Sequence, residues 1–365
     1  MAQADSPARA WLPELPVAPG TDAVVLCHDS LRTPRAKTTH GLLRHGLLLR
    51  ICAVVDRGCA GADARQVCGI PASSSSCSPP HVPVLAEVPE STNVLVIGVA
   101  PPGGAAPLAW REEIAAVLAR GGLVISGMHE PLLSDPELAK AAVSGGGGVW
   151  EVRAAPPTLP LAHLPRPWPV PVVLTVGTDA ACGKRTAAVA LVEAAEEQRI
   201  DARFVPSGQT GILLGRGRGV AADHLVADFL SGVFQRLVED AIDEGAQLVV
   251  VEGQGALSHP AYGAVSYGLL QGVAPTHLLM VHPHGRQERQ SFAPQPVPTP
   301  MEECTRIRQL SHARLLGLAL NPGGAGRTLQ AALPLPPWDA ARDGPVVDVL
   351  RQGATALLAN LAPSP

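Results

Sequence analysis

Lysine is scarce in this chain. Of 28 basic side chains only Lys37, Lys140 and Lys184 are lysines. Where arginine is the default cation, a retained lysine points to a need for a compact ammonium head. Cysteine pairing is lacking too. The seven cysteines are odd in number, scattered and without a Cys-x-x-Cys pair, which argues against a zinc ribbon or a disulfide framework. No run of basic residues stands out, and the net charge of -4 gives no electrostatic reason to expect nucleic acid as a partner. No apolar stretch reaches the length of a membrane span, so no membrane partner is expected. The segment Met1 to Trp11 has no basic region followed by an apolar one, so no secretory signal is expected and the cytoplasm is the default compartment.

What is present is a globular composition, 46% hydrophobic and 16% charged, over 365 residues, enough for two ordinary domains. Ala154 to Pro171 (AAPPTLPLAHLPRPWPVP) is too proline-rich for a helix or a central strand and reads as an extended linker. It divides the chain into a domain at 1–165 and a second at 166–365.

Both parts alternate buried strands with helical patterns. Asp22 to His28, Leu48 to Asp56, Asn93 to Val99 and Gly122 to Ser126 read as strands of the first part. Trp110 to Arg120 and Pro136 to Val143 read as helices, the second with Ser134 and Asp135 as cap candidates. In the second part Val172 to Val176, Ala202 to Pro206, Gln247 to Glu252, His277 to His282 and Leu315 to Asn321 read as strands. Gly183 to Gln198, His224 to Glu244 and Val346 to Leu361 read as helices. The expected fold is α/β, with two doubly wound parallel-sheet domains, the first Rossmann-like and the second P-loop NTPase-like.

The P-loop carries the chemistry. An apolar strand runs into Gly177, then Thr178, Asp179, Ala180, Ala181 and Cys182, and Gly183-Lys184-Arg185-Thr186 opens an alanine-rich helix. Small residues let successive N–H groups curl around an anion, and the helix start adds partial positive charge. Lys184 would reach the outer phosphates, and a nearby hydroxyl would complete a Mg²⁺ shell. The spacing departs from the usual motif, with five residues between Gly177 and Gly183 rather than four. Arg185 stands where Ser or Thr normally follows the lysine. Thr186, the alternative hydroxyl, points about 100° further round the helix. A plain strand-turn-helix joint with a surface lysine is the competing reading.

Glu252-Gly253-Gln254-Gly255 ends a buried strand where P-loop enzymes hold Mg²⁺ or order an attacking group. A capped strand end with ordinary turn glycines is the alternative. Ser207-Gly208-Gln209-Thr210-Gly211 suits oxyanion or carboxylate contact on an expected loop. Ser258-His259-Pro260 with Tyr262, and His282, His284 and Arg286, lie on further loops at strand ends. His259 is the candidate general base, with a hydrogen-bonded surface group as its competing reading. Asp223 and Asp228 read chiefly as a solvated helix face. In the first part, Leu31 to Gly46 concentrates Arg32, Arg35, Lys37, Thr38, Thr39 and His40, either an anion-binding segment or a mixed surface loop. Ala100 to Gly104 is an expected rigid turn, and His129 and Glu130 project from the same sheet edge. No Gly-x-Gly-x-x-Gly follows Asp22 to His28, which weakens a dehydrogenase reading.

Several ordered motifs together resemble a bacterial family once of unknown function and now associated with D-glutamate N-acetyltransferase. They are Lys37-Thr38 with Gly41-Leu42, Ile97 to Gly104, Ser126 to His129, Gly177-Thr178-Asp179 before Gly183-Lys184, Ser207 to Ile212, Glu252 to Leu257, and His259 to Tyr262. The resemblance spans about residues 22–325. It implies a Rossmann-like domain joined to a P-loop domain related to dethiobiotin synthetase. By that kinship Asp179, Thr186 and Glu252 would hold Mg²⁺ and Lys184 would contact phosphate. Arg185 departs from the Lys-Thr pair of the dethiobiotin enzymes.

The expected function is amide formation on a small amino acid by an N-acyltransferase. The resemblance implies an acyl-CoA donor. An ATP-Mg²⁺-dependent carboxylate-amine ligase or kinase acting through an acyl phosphate is the alternative, and a non-catalytic nucleotide-binding regulator is a third reading. The candidate catalytic residues are Lys184, Glu252 and His259. The candidate substrate residues are Lys37, Thr38, Ser207, Gln209, Thr210 and Tyr262. The expected cofactors are ATP or acyl-CoA with Mg²⁺, and base rates favour a homo-oligomer.

Overall fold

The computed structural model describes residues 11–72, 74–100, 104–163, 167–321 and 338–361. Pro101 to Gly103 of the expected rigid turn and the linker residues 164–166 lie outside them.

The first domain carries β1 (Thr21–Leu26), α1 (Lys37–His45), β2 (Leu49–Val55), α2 (Ala64–Cys68), β3 (Val84–Leu85), β4 (Val94–Ile97), α3 (Arg111–Ala119), β5 (Leu123–Ser126), α4 (Pro136–Gly145) and β6 (Gly148–Glu151). The second carries β7 (Val172–Gly177), α5 (Lys184–Glu197), β8 (Ala202–Val205), α6 (Gln209–Leu213), α7 (Ala227–Asp243), β9 (Leu248–Val251), α8 (Gly263–Val273), β10 (His277–Pro283), α9 (Pro300–Arg308) and β11 (Arg314–Asn321). It ends with α10 (Ala340–Asp343), β12 (Val346–Val347), α11 (Val349–Gln352) and α12 (Thr355–Leu358).

Among the described residues each domain holds one six-stranded sheet, ordered β3-β2-β1-β4-β5-β6 and β12-β11-β10-β7-β9-β8. Every strand pairing is parallel. Parallel strands buried on both faces must be apolar at successive positions, as Val172 to Leu174 and Leu248 to Val251 are. Alternate residues then serve opposite faces. Val172, Leu174, Val249 and Val251 pack with Phe234 and Leu237 of α7, while Val173 and Val250 pack with Leu191 of α5 and Leu357 of α12. The expected doubly wound architecture is the observed one.

Three expectations need correction. Leu31 to Gly46 is not a loop. Its second half is α1, with Thr38, Thr39, Gly41, Leu42 and Leu43 buried. Gln209 to Leu213 is likewise a short helix, α6, rather than a loop. The continuous helix expected over Val346 to Leu361 is broken. Val346–Val347 adds an edge strand, Asp348 caps α11 through Leu350 N, and Gly353 at φ 69° ends it before α12. Asp135 does cap α4, accepting from Glu137 N, with Pro136 at the first helical position.

The two domains share packing. Ile212 and Leu213 of α6 enter the core cluster of the first domain. In the other direction Leu12 joins a core of the second domain, and Trp11 Nε1 donates to Asp240 Oδ2 at 2.8 Å. Among the described residues no helix is long and apolar enough to cross a membrane.

Candidate active site at the domain junction

The phosphate loop leaves β7 at Gly177 and turns through Ala181 (φ 47°) and Gly183 (φ 107°) into α5. A left-handed residue at Gly183 admits no side chain readily, and a Cβ there would press on the Asn321 side chain at 3.1 Å. Lys184 is buried. Its Nζ donates to the carbonyls of Asp179 (2.8 Å) and Gly255 (2.6 Å), so the ammonium ties the loop to the turn that follows β9.

Two arginines, Arg286 and Arg289, bond the outside of this loop. Asp179 is fully buried, and its Oδ2 accepts from Arg286 Nη1 at 2.8 Å and from Gln290 N at 3.0 Å. Arg286 also donates to the Ala180 carbonyl, and Arg289 to the Thr178 carbonyl and the Ser258 hydroxyl. Thr178 Oγ1 pairs with His282 Nδ1 at 2.9 Å. Arg289 was not singled out in the sequence, because it sits in a loop without a motif of its own.

His259 faces the same aspartate. Its Nδ1 accepts from the backbone N–H groups of Ala261 (3.1 Å) and Tyr262 (3.3 Å), so the neutral ring carries its proton on Nε2. That Nε2 points at Asp179 Oδ1, 3.6 Å away. The ring stacks on Tyr262 at 4.5 Å and meets Phe292 edge-on at 4.8 Å. Burial pushes the imidazole below its ordinary range, against the pull of Asp179. Nδ1 is thus engaged by two backbone N–H groups while Nε2 faces Asp179 without a hydrogen bond, and Tyr262 covers the ring from the exposed side.

The remaining candidates gather at the seam between domains. Glu252 follows β9 and is almost wholly buried under α6, accepting from Ser207 N at 3.1 Å. A Cβ on Gly211 would lie 2.2 Å from Glu252 Oε2, so glycine at this point lets the carboxylate sit against the helix. Burial pushes the Glu252 carboxyl above the usual range, while Arg185, the N–H groups of Ser207 and Gly208, and Lys37 act in the opposite direction.

Arg185, the departure from the usual loop sequence, reaches across to the first domain. Its Nη2 donates to the Lys37 carbonyl at 3.3 Å and lies 3.0 Å from where a Gly41 Cβ would be. Thr38 and Thr210 share a hydrogen bond at 2.9 Å. Lys37 starts α1 with an exposed side chain, yet burial around its ammonium end lowers its pKa, helped by Arg185 and Arg153 and opposed by Asp223 and Glu252. Lys37, Thr38, Arg185, Ser207, Gln209, Thr210 and Glu252 are therefore brought together. Asp179, His259 and Tyr262 form a separate group behind the loop, and Lys184 spans from one turn to the other. Asp223, read as solvated helix face, instead pairs with Arg153 just after β6.

The donor set does not fit a resident Mg²⁺. A hard cation needs free anionic oxygens. Asp179 Oδ2 already balances Arg286, and its Oδ1, though without a hydrogen-bond partner, faces His259 Nε2 at 3.6 Å. Glu252 accepts from Ser207 N in the other group, and Thr186 lies in the first turn of α5 beyond Arg185. Among the described residues no group of three His, Cys, Asp or Glu side chains is arranged to hold a metal.

A Rossmann-like sheet and a P-loop sheet joined along a polar seam define a two-domain nucleotide-fold protein. The comparisons with known proteins are specific about which. Residues 164–358 match the P-loop domain, and residues 57–155 the Rossmann-like domain, of the family described as domain of unknown function DUF1611. The chain belongs to that family. A D-glutamate N-acetyltransferase of Pseudoalteromonas sp is 30% identical over 83% of this chain and 90% of its own length. One of Tritonibacter scottomollicae is 31% identical over 73% and 80% respectively. The crystal structure of a DUF1611 family protein from Anabaena variabilis is 30% identical, with a TM-score of 0.79 over 94% of this chain and 99% of that one.

Proposed function

We propose that this protein transfers an acyl group from acyl-CoA to the amino group of a small acidic amino acid, D-glutamate first among candidates. The observation that carries the reading is the placement of Glu252, buried at the domain seam between the Arg185 side of the phosphate loop and the Lys37 end of α1. The curated relatives are named for this reaction.

An amino acid arrives as an ammonium, which is no nucleophile. A carboxylate raised by burial is a better proton acceptor than an ordinary glutamate and suits general-base work near neutral pH. Glu252 takes one proton from the ammonium. The freed lone pair attacks the thioester carbonyl carbon, the C–N bond forms as the C–S bond breaks, and the second amine proton passes to the departing thiolate. Lys37 and Arg185 offer positive charge to the substrate carboxylates. The loop amides from Asp179 to Gly183, with Lys184, would grip phosphate groups of the donor. His259 and Arg286 act through Asp179 by holding that loop in shape.

A second reading is favoured by Lys184 itself, since a P-loop lysine stabilises charge on a transferring phosphoryl group. An ATP-dependent ligase would form an acyl phosphate for the same amine to capture. The test is a pair of incubations with D- and L-glutamate, read by mass spectrometry. One contains acetyl-CoA without ATP, the other ATP-Mg²⁺ with a second carboxylic acid. N-acetylglutamate in the first alone supports the transferase. ATP consumption with amide formation in the second removes it. Inertness in both, with nucleotide still bound, removes both enzymes in favour of a regulator. In the active assay, Glu252→Gln should lower kcat by about 100-fold or more.

A further inference from the structure

The seam holds an arginine that no sequence motif marked. Arg153 is 6% exposed and spreads its guanidinium over three segments. Nε donates to the Gly127 carbonyl at 2.7 Å, Nη1 pairs with Asp223, and Nη2 donates to Gln209 Oε1 at 2.8 Å. Arginine has donors only, so the Gln209 atom facing it must be the carbonyl oxygen. The amide is thereby locked in one orientation, and its NH₂ end points away from Arg153.

That NH₂ end is the second observation. Gln209 is 5% exposed, and its Nε2 is buried with no hydrogen-bond partner. Two residues earlier, the fully buried Ser207 Oγ is also unpartnered, and so is Arg185 Nε. Gly127 makes room for the arrangement, because a Cβ there would meet Gln209 Cγ at 2.7 Å. Buried donors without acceptors are costly unless a ligand completes them. Three donors and the nearby Lys37 ammonium call for an acceptor-rich anion. Arg153 is itself balanced by Asp223, so it orients rather than binds.

We propose that Arg153 is a positioning residue that fixes the Gln209 amide as a carboxylate-recognition group, so that the seam selects amino acids bearing a second carboxylate. This rests on reading the seam as the amino-acid site. A distal amide offers one acceptor oxygen where a carboxylate offers two, so its NH₂ would face one of these donors and the ligand would be disfavoured.

The test uses the full chain and two amine-free probes, glutarate and glutaramate, with affinities measured by calorimetry. Neither acyl donor nor turnover is needed. The wild type should favour glutarate by about tenfold. Gln209→Glu keeps an oxygen facing Arg153 but replaces the donor by an acceptor, and should reverse the preference toward glutaramate. Arg153→Lys cannot hold three partners in a fork and should weaken glutarate binding. In the acetylation assay it should raise KM for D-glutamate while leaving kcat and the KM for acetyl-CoA near the wild-type values. A folded Gln209→Glu variant that retains the wild-type preference overturns the proposal, as does an Arg153→Lys variant with unchanged glutarate affinity. A reversed preference without any acetylation keeps the carboxylate site and removes only the assigned reaction.

Discussion

Thr38 of α1 and Thr210 of α6 share a hydrogen bond of 2.9 Å across the two domains, and both residues are buried. The bond lies beside the Arg185 contact with Lys37 and above the Ile212 and Leu213 side chains that enter the first core. The two sides of the seam are thus held in register by packing and by one hydroxyl pair. Removing one hydroxyl leaves the other buried and unpaired. Thr210→Val should therefore destabilise the protein by about 1–3 kcal/mol. The double variant Thr38→Val with Thr210→Val should recover most of that loss. Denaturant titration of the four proteins of this cycle measures the coupling, and simple additivity would show that the bond contributes nothing.

Lys184 is the expected anchor for donor phosphates, and its present partners are the carbonyls of Asp179 and Gly255. Exchange of those neutral acceptors for charged phosphate oxygens strengthens its bonds. Lys184→Ala should abolish the rise in Tm that CoA gives to the wild-type protein. A retained rise would place the cofactor away from this loop.

Much of this arrangement is legible in the sequence because strands buried on both faces must be written as apolar runs, as in Leu248 to Val251 and Leu278 to Val281. The phosphate loop is legible for a similar reason, since a tight anion turn demands small residues between Gly177 and Gly183. The helix α1 is not. Lys37 to His45 contains two threonines and a glycine, all poor helix formers, and is stabilised by burial of one face against the first core. Its glycine serves a contact with Arg185 and Thr210 that belongs to a partner more than 140 residues away. Arg153 is illegible for the same reason. It stands alone before a proline-rich linker, and only the fold sets Gly127, Gln209 and Asp223 around it.

Gly211 is where a single methyl group should be felt. A Cβ would sit 2.2 Å from Glu252 Oε2 and 2.8 Å from Pro206 Cβ, so either the carboxylate or α6 must move. Gly211→Ala should lower stability by about 1–3 kcal/mol and displace Glu252 from its bond to Ser207 N, with loss of activity. Gly148 is the control. A Cβ there meets only Leu123 Cδ1 at an ordinary 3.5 Å, so Gly148→Ala should change stability by no more than about 0.5 kcal/mol. Equal effects of the two substitutions in thermal unfolding and turnover would remove the steric argument.

The buried histidines fix how stability depends on pH. Burial lowers the pKa of His40, His45, His259 and His277, and it pushes His282 down to about 4. In each case the unfolded chain binds the proton more readily than the folded one. Their contribution is therefore complete above the ordinary histidine value near 6.5 and is lost as pH falls toward the folded values. Glu151, Glu196 and Glu252 work the other way, because burial raises their pKa values, which favours the folded state at low pH and withdraws that support as pH rises through the folded values. The five histidines outweigh these three glutamates, so Tm should fall between pH 6.5 and pH 4.5. For His282 alone the shift corresponds to at most about 3 kcal/mol. Its Nδ1 bonds Thr178 Oγ1 inside the phosphate loop, a role that the side-chain amide of asparagine can fill without titrating. His282→Asn should flatten the acid limb of the Tm profile, and an unchanged slope would show that the proton is taken up elsewhere.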